Sequence, residues 1–194
     1  MIHDAFQPVS YWKNFMPPPQ YQRVILDTHI YQIFSDAVRK FKSCRCISKL
    51  ILSGQLNALS YDQHIQTACG MEPDLTSSTL WLVVGEWVPV ATDCAKYLNG
   101  RGRGSRYDGT FAGDSNRVGS CEGLTGKAST FSSSYKTFLR QYWEAQVITY
   151  EKVQGWIQWT WKTEDADEWS YQAGLANGWI PQNPTDYMYP NICG

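Results

Sequence analysis

An α/β fold with parallel strands is predicted. Three observations carry the prediction: short apolar runs that end in polar or ionisable residues, a helix-period segment between two of them, and long polar or glycine-rich stretches that follow. Ile2 to Phe6 reads as the tail of a first strand. Arg23-Val24-Ile25-Leu26-Asp27 is a second, leading into Thr28-His29-Ile30-Tyr31. Leu80 to Glu86 is a third and Gly155 to Trp161 a fourth. Between the last two, Ser134 to Lys152 places Tyr135, Phe138, Leu139, Tyr142 and Gln146 at helical spacing behind a serine run that supplies an N-cap. Four such units amount to half of a (β/α)8 barrel, and half a barrel leaves strand edges to be paired.

The 194 residues are 43% hydrophobic and 18% charged, with a net charge of −1, which suits one globular domain or part of a larger one. That balance offers no basic patch for phosphate, and the cationic stretch Arg39 to Arg45 is short, so no nucleic-acid partner is expected. No apolar run reaches the length of a membrane-spanning helix, so no membrane partner is expected either. Met1-Ile2-His3-Asp4 lacks the apolar core and cleavage site of a signal peptide.

Aromatic residues stand out, with nine Trp and twelve Tyr. They fit either a Trp-rich core or a sugar site, in which flat rings pack on pyranose C–H faces while polar neighbours bond the hydroxyls. Of the cysteines at 44, 46, 69, 94, 121 and 193, the last four can make two bridges, whereas Cys44 and Cys46 are too close for an unstrained mutual disulfide. No second Cys/His pair stands at a ligand spacing to make Cys44 and Cys46 a metal site. Thr125-Gly126-Lys127 is not a phosphate loop, because Cys121 and Ala128 occupy the positions that need Gly and Ser/Thr. The sharpest chemical signal is Glu86, which ends the run Leu80 to Val84 between Gly85 and Trp87. A carboxylate there needs donors or a counter-charge, and the C-terminal ends of barrel strands are where catalytic residues gather.

The strand ends His3-Asp4, His29-x-Tyr31, Glu86 and Trp159 resemble the fungal exo-β-1,3-glucanases of glycoside hydrolase family five. So do the segments 3–7, 27–34, 85–87, 92–100, 103–109 and 159–164, in the same order. The resemblance implies a (β/α)8 barrel, with this chain as its C-terminal half, that cleaves β-1,3-glucan or β-glucosides from the non-reducing end with retention of configuration. It implies Glu86 as nucleophile, with His29 and Tyr31 holding and polarising it. Trp159 becomes the platform under the cleaved sugar, Phe34 an aromatic clamp at the mouth, and Asn99 a polar residue closing the pocket. Trp87, Trp156 and Trp161 are left to packing. The resemblance also pairs Cys94 with Cys121 and Cys69 with Cys193, in a monomeric enzyme secreted or lodged in the cell wall. No metal or organic cofactor is implied, since two carboxyl groups suffice.

Two departures stand out. The resemblance places the acid/base glutamate after an asparagine on an earlier strand, and no Asn-Glu dipeptide occurs in the sequence, so the chain is expected to begin after that strand. Residues 38–55 also interrupt the pattern. Without them Phe34-Ser35-Asp36-Ala37 joins Leu56 to His64 smoothly, and codons for Val38-Arg39 and Gln55 can carry splice signals, so a retained intron is expected. Two further readings use the same residues: a carbohydrate-binding remnant without catalysis, and a gene-model fragment without independent function.

Overall fold

The computed structural model describes residues 1–34, 56–113 and 117–194, and the segment 38–55 read above as an insertion lies outside them. Three parallel strands, β1 (Ile2–His3), β2 (Ile25–Ile30) and β3 (Trp81–Trp87), form a sheet in the order β1-β2-β3. Helices α1 (Leu56–Cys69) and α2 (Glu72–Thr76) connect β2 to β3. Helix α3 (Ser133–Tyr150) follows β3, and α4 (Tyr171–Asn177) lies near the C-terminus. The architecture is thus mixed α/β with a small parallel sheet, as parallel strands joined by helical crossovers require.

Burial alternates along the strands and separates two faces of the sheet. Leu26, Thr28, Leu82 and Val84 are buried, while Asp27 and His29 between them are partly accessible. Helix α3 covers the buried side. It starts where expected, with Ser132 Oγ accepting from the Tyr135 amide at 3.1 Å, and the five residues read as its apolar stripe are all buried. Tyr61 of α1 stacks on Phe138 with ring centroids 3.8 Å apart, which joins α1 to α3. Two disulfides, Cys69–Cys193 and Cys94–Cys121, close loops with sequence separations of 124 and 27. On a chain-entropy model, loops of these lengths stabilise by roughly 4.9 and 3.6 kcal/mol.

The fourth predicted strand is corrected. Residues 155–161 run beside β3 without forming a strand, making one parallel bridge, Val84 to Trp156. Val84 N donates to Gly155 O at 3.0 Å, and Ile157 N and Trp159 N donate to Val84 O and Trp87 O at 2.9 Å each. The register slips past the bridge, since two residues on this segment, Ile157 to Trp159, span three on β3, Val84 to Trp87, across Gly85; Gln158 between them accepts from the buried Trp143 indole at 3.0 Å. Among the described residues no helix is long and apolar enough to cross a membrane.

Candidate active site

The sheet places its ionisable residues on the face that α3 does not cover. On β2 that face carries Asp27 and His29. On β3 an uninterrupted alternation would send Glu86 to the same side as Leu82 and Val84, into the core. It does not, because the β2–β3 register steps from Thr28↔Val84 to His29↔Glu86 and leaves Gly85 as an extra residue. Such a bulge exchanges the faces of everything after it. Glu86 therefore comes level with His29, while Trp87 turns inward, fully buried against Tyr150 and Trp156. The bulge also explains the residue type. A Cβ at position 85 would lie 1.9 Å from Asp27 Oδ1, so only glycine lets the two strands approach here.

Two side chains converge on one oxygen of Glu86. The Tyr31 hydroxyl donates to Oε2 at 2.8 Å, and His29 Nδ1 lies 3.5 Å from the same atom. Burial, reinforced by the hydrogen bond to Glu86, pushes the Tyr31 phenol well above its ordinary pKa, so it stays a donor across the physiological range. On its other side the His29 ring lies 3.4 Å, through Nε2, from Asp27 Oδ2. Asp27, His29 and Glu86 thus form a row of carboxylate, imidazole and carboxylate along the sheet. The His3 ring meets His29 edge-on, with centroids 4.5 Å apart. Below them the Thr28 hydroxyl hydrogen-bonds the buried Asp4 carboxylate, which also accepts from the Phe6 amide at 2.8 Å and so fixes the end of β1.

Aromatic groups surround this row. Tyr31 packs face to face on the buried Trp169, with centroids 6.1 Å apart, and edge-on to Phe34 at 5.6 Å. Phe34 is 49% exposed and Trp159 50%, so neither is a core residue. The backbone of Trp159 is tied to the residue after Glu86, through its amide and Trp87 O. The following amide, Thr160 N, donates to Trp169 O at 3.0 Å.

Asn99 is engaged elsewhere. Its Nδ2 donates to Asp93 Oδ2 at 2.8 Å and to Gly104 O at 3.0 Å, and its Oδ1 accepts from the Arg106 guanidinium. The buried Asp93 also accepts from Ser105 Oγ at 2.6 Å and from the Arg106 and Tyr107 amides at 2.9 and 3.0 Å. Burial alone would raise the Asp93 pKa, but these donors more than offset it and the net shift is downward. The geometry gives Asn99 the work of holding the loop 93–107, with the Cys94–Cys121 bridge beside it.

Sequence reasoning missed Asp27 and Trp169 as members of the site. Asp27 carried a signal, a carboxylate at the end of an apolar run like Glu86. Trp169 carried none, because its place behind Tyr31 depends on contacts across more than a hundred residues. Of the tryptophans left to packing, Trp87 is buried, Trp156 is half-buried, and Trp161 is 60% exposed with its ring stacked on Tyr171. Among the described residues no group of three or more His, Cys, Asp or Glu side chains is placed to hold a metal ion.

No protein-family model matches the chain. It is similar to the probable glucan 1,3-beta-glucosidase A of Aspergillus niger, with 42% identity over 194 residues covering 99% of this chain and 41% of that protein. The glucan 1,3-beta-glucosidase of Schwanniomyces occidentalis is 40% identical over all of this chain and 41% of its own length. The glucan 1,3-beta-glucosidase I/II of Saccharomyces cerevisiae is 40% identical over all of this chain and 40% of its own length. The chain therefore spans about two fifths of the length of the curated relatives it matches.

Proposed function

We propose that this chain carries the nucleophile side of a retaining exo-β-1,3-glucosidase of glycoside hydrolase family five, within the C-terminal half of a (β/α)8 barrel. The observation that carries the reading is the convergence of Tyr31 and His29 on Glu86 Oε2, at a bulged strand end flanked by exposed Trp159 and Phe34. The names of relatives about 40% identical over the whole chain support the substrate class.

The chemistry follows from the geometry. Donors on one carboxylate oxygen fix the plane of Glu86, and the other oxygen, Oε1, attacks the anomeric carbon of a β-linked glucose. The covalent α-glucosyl ester that results is then hydrolysed by water from the opposite face, giving net retention. Trp159 offers an apolar face for the glucose ring in the −1 position, and Phe34 one for the sugar leaving it. The loop held by Asp93 and Asn99 shapes the pocket wall. The mechanism needs a second carboxyl about 5–5.5 Å from the first to protonate the leaving oxygen. The family resemblance assigns it to an Asn-Glu pair, a dipeptide that the 194 residues do not contain. The two disulfides and the names of the relatives support a protein that works outside the cell or in its wall.

The test uses a sugar whose leaving group departs without protonation. Incubation with 2-deoxy-2-fluoro-β-glucosyl fluoride should add one fluoroglucosyl mass to the chain, and peptide mapping should place it on Glu86. A label on Glu144, Glu151 or Glu168 instead overturns the assignment.

A further inference from the structure

We propose that Asp27 is a positioning residue for the nucleophile: its carboxylate holds the His29 imidazole on the Nε2 side and so aims Nδ1 at Glu86 Oε2; this rests on the reading of Glu86 as nucleophile. The ring lies between the two carboxylates, with Nε2 3.4 Å from Asp27 Oδ2 and Nδ1 3.5 Å from Glu86 Oε2. The partner fixed on one ring nitrogen sets the orientation of an imidazole and what its other nitrogen presents. The Asp27 and His29 side chains are 21% and 19% exposed, so water and salt screen their contact less than they would at the surface.

Packing alone does not account for a carboxylate at position 27. Its Oδ1 is buried without a hydrogen-bond partner among the described residues and lies against Gly85, where an added Cβ would stand 1.9 Å away. A buried oxygen in that position costs free energy that an apolar side chain filling the same space would not. What an apolar side chain cannot supply is the second oxygen, Oδ2, turned to His29.

The frame around the two side chains is stiff. Asp4 N donates to Asp27 O at 2.9 Å on the β1 side, and on the other side β3 pairs Val83 with Asp27 and Glu86 with His29. The His3 ring, edge-on to His29 with centroids 4.5 Å apart, is itself held, because its Nδ1 accepts from the Ala5 amide at 3.0 Å. Tyr31 acts on Glu86 Oε2 directly, at 2.8 Å, whereas Asp27 reaches that oxygen only through the imidazole. Any effect of the Asp27 charge on Glu86 must therefore vanish when the imidazole is removed.

The test reads the ring first and the chemistry second. In the 194-residue chain carrying isotope-labelled histidine, the nitrogens of the three imidazoles are followed by magnetic resonance. Asp27→Asn keeps the size of the side chain and should shift both His29 ring signals while those of His64, which faces Gln32, stay in place. Unmoved His29 signals overturn the inference whatever the activity of the chain. With 2-deoxy-2-fluoro-β-glucosyl fluoride, Asp27→Asn should slow labelling of Glu86 about tenfold, and in a His29→Ala chain it should slow labelling no further. Equal slowing with and without His29 overturns the inference and leaves the nucleophile standing. A parent chain labelled at a carboxylate other than Glu86, or at none, overturns both.

Discussion

Tyr31 is the clearest link between packing and chemistry, because one ring stacks on Trp169 and directs its hydroxyl to Glu86 Oε2 at 2.8 Å. Hydrogen bonds to charged groups are worth about 1.5–3 kcal/mol, so Tyr31→Phe should slow turnover of an activated aryl β-glucoside by roughly 10- to 100-fold. Steady-state rates measured beside a thermal melt check this, since the melting temperature should hardly move. Gly85→Ala should act the other way. Its new Cβ would meet Asp27 Oδ1 at 1.9 Å, so urea unfolding should show a loss of about 1–3 kcal/mol, partly recovered when Asp27 is shortened to Ala in the same chain. At this scale Glu86 was legible in the sequence, because a charge closing an apolar run demands an explanation. The Asp27 contact was not, because it depends on the β2–β3 register, which no local pattern encodes.

Helix α3 and the three strands were legible because their apolar spacing is strong and local. The bulge was not. Gly85 read as a spacer before Glu86, and only the paired register shows that it moves Glu86 out of the core-facing row. The 155–161 segment was over-read as a strand for a related reason, since its run of tryptophans has β propensity but just one bridge partner. The loop 93–107 was legible as a glycine-rich, family-like stretch, but not as a loop built around the buried carboxylate of Asp93. Asp93→Ala removes the acceptor for Ser105, Asn99 and two backbone amides and leaves those donors unpaired. The expected cost is about 3 kcal/mol, with faster tryptic cleavage after Arg101 and Arg103. An unchanged digestion pattern would show that the disulfide alone orders the loop.

At the scale of the whole molecule, two buried groups set opposing pH dependences. Burial pushes His64 down to about 4, with its Nδ1 2.8 Å from Gln32 Oε1. It is neutral in both folded and unfolded chains above about 6.5, and stability is lost as pH falls from there towards 4. Burial pushes Glu168 up to about 7, despite donors from Thr125 and Gly126. Its contribution is complete below about 4.5 and is lost as pH rises through 7. Each changes stability by about 1.4 kcal/mol per pH unit within its window, so the two nearly cancel between about 4.5 and 6.5. His64→Gln should leave a stability that falls steadily as pH rises through that window, and Glu168→Gln one that rises. Urea midpoints at four pH values distinguish them. The central claim, that Glu86 is the nucleophile of a retaining site, is tested most directly by the anomer formed when azide intercepts the reaction. With dinitrophenyl β-glucoside and added azide, the chain with Glu86 intact should yield β-glucosyl azide, because azide attacks a covalent α-glucosyl ester from the open face. The Glu86→Gly chain should yield α-glucosyl azide, because azide enters the space the carboxylate has left. The same azide anomer from both chains, or α-azide from the intact one, would contradict the account.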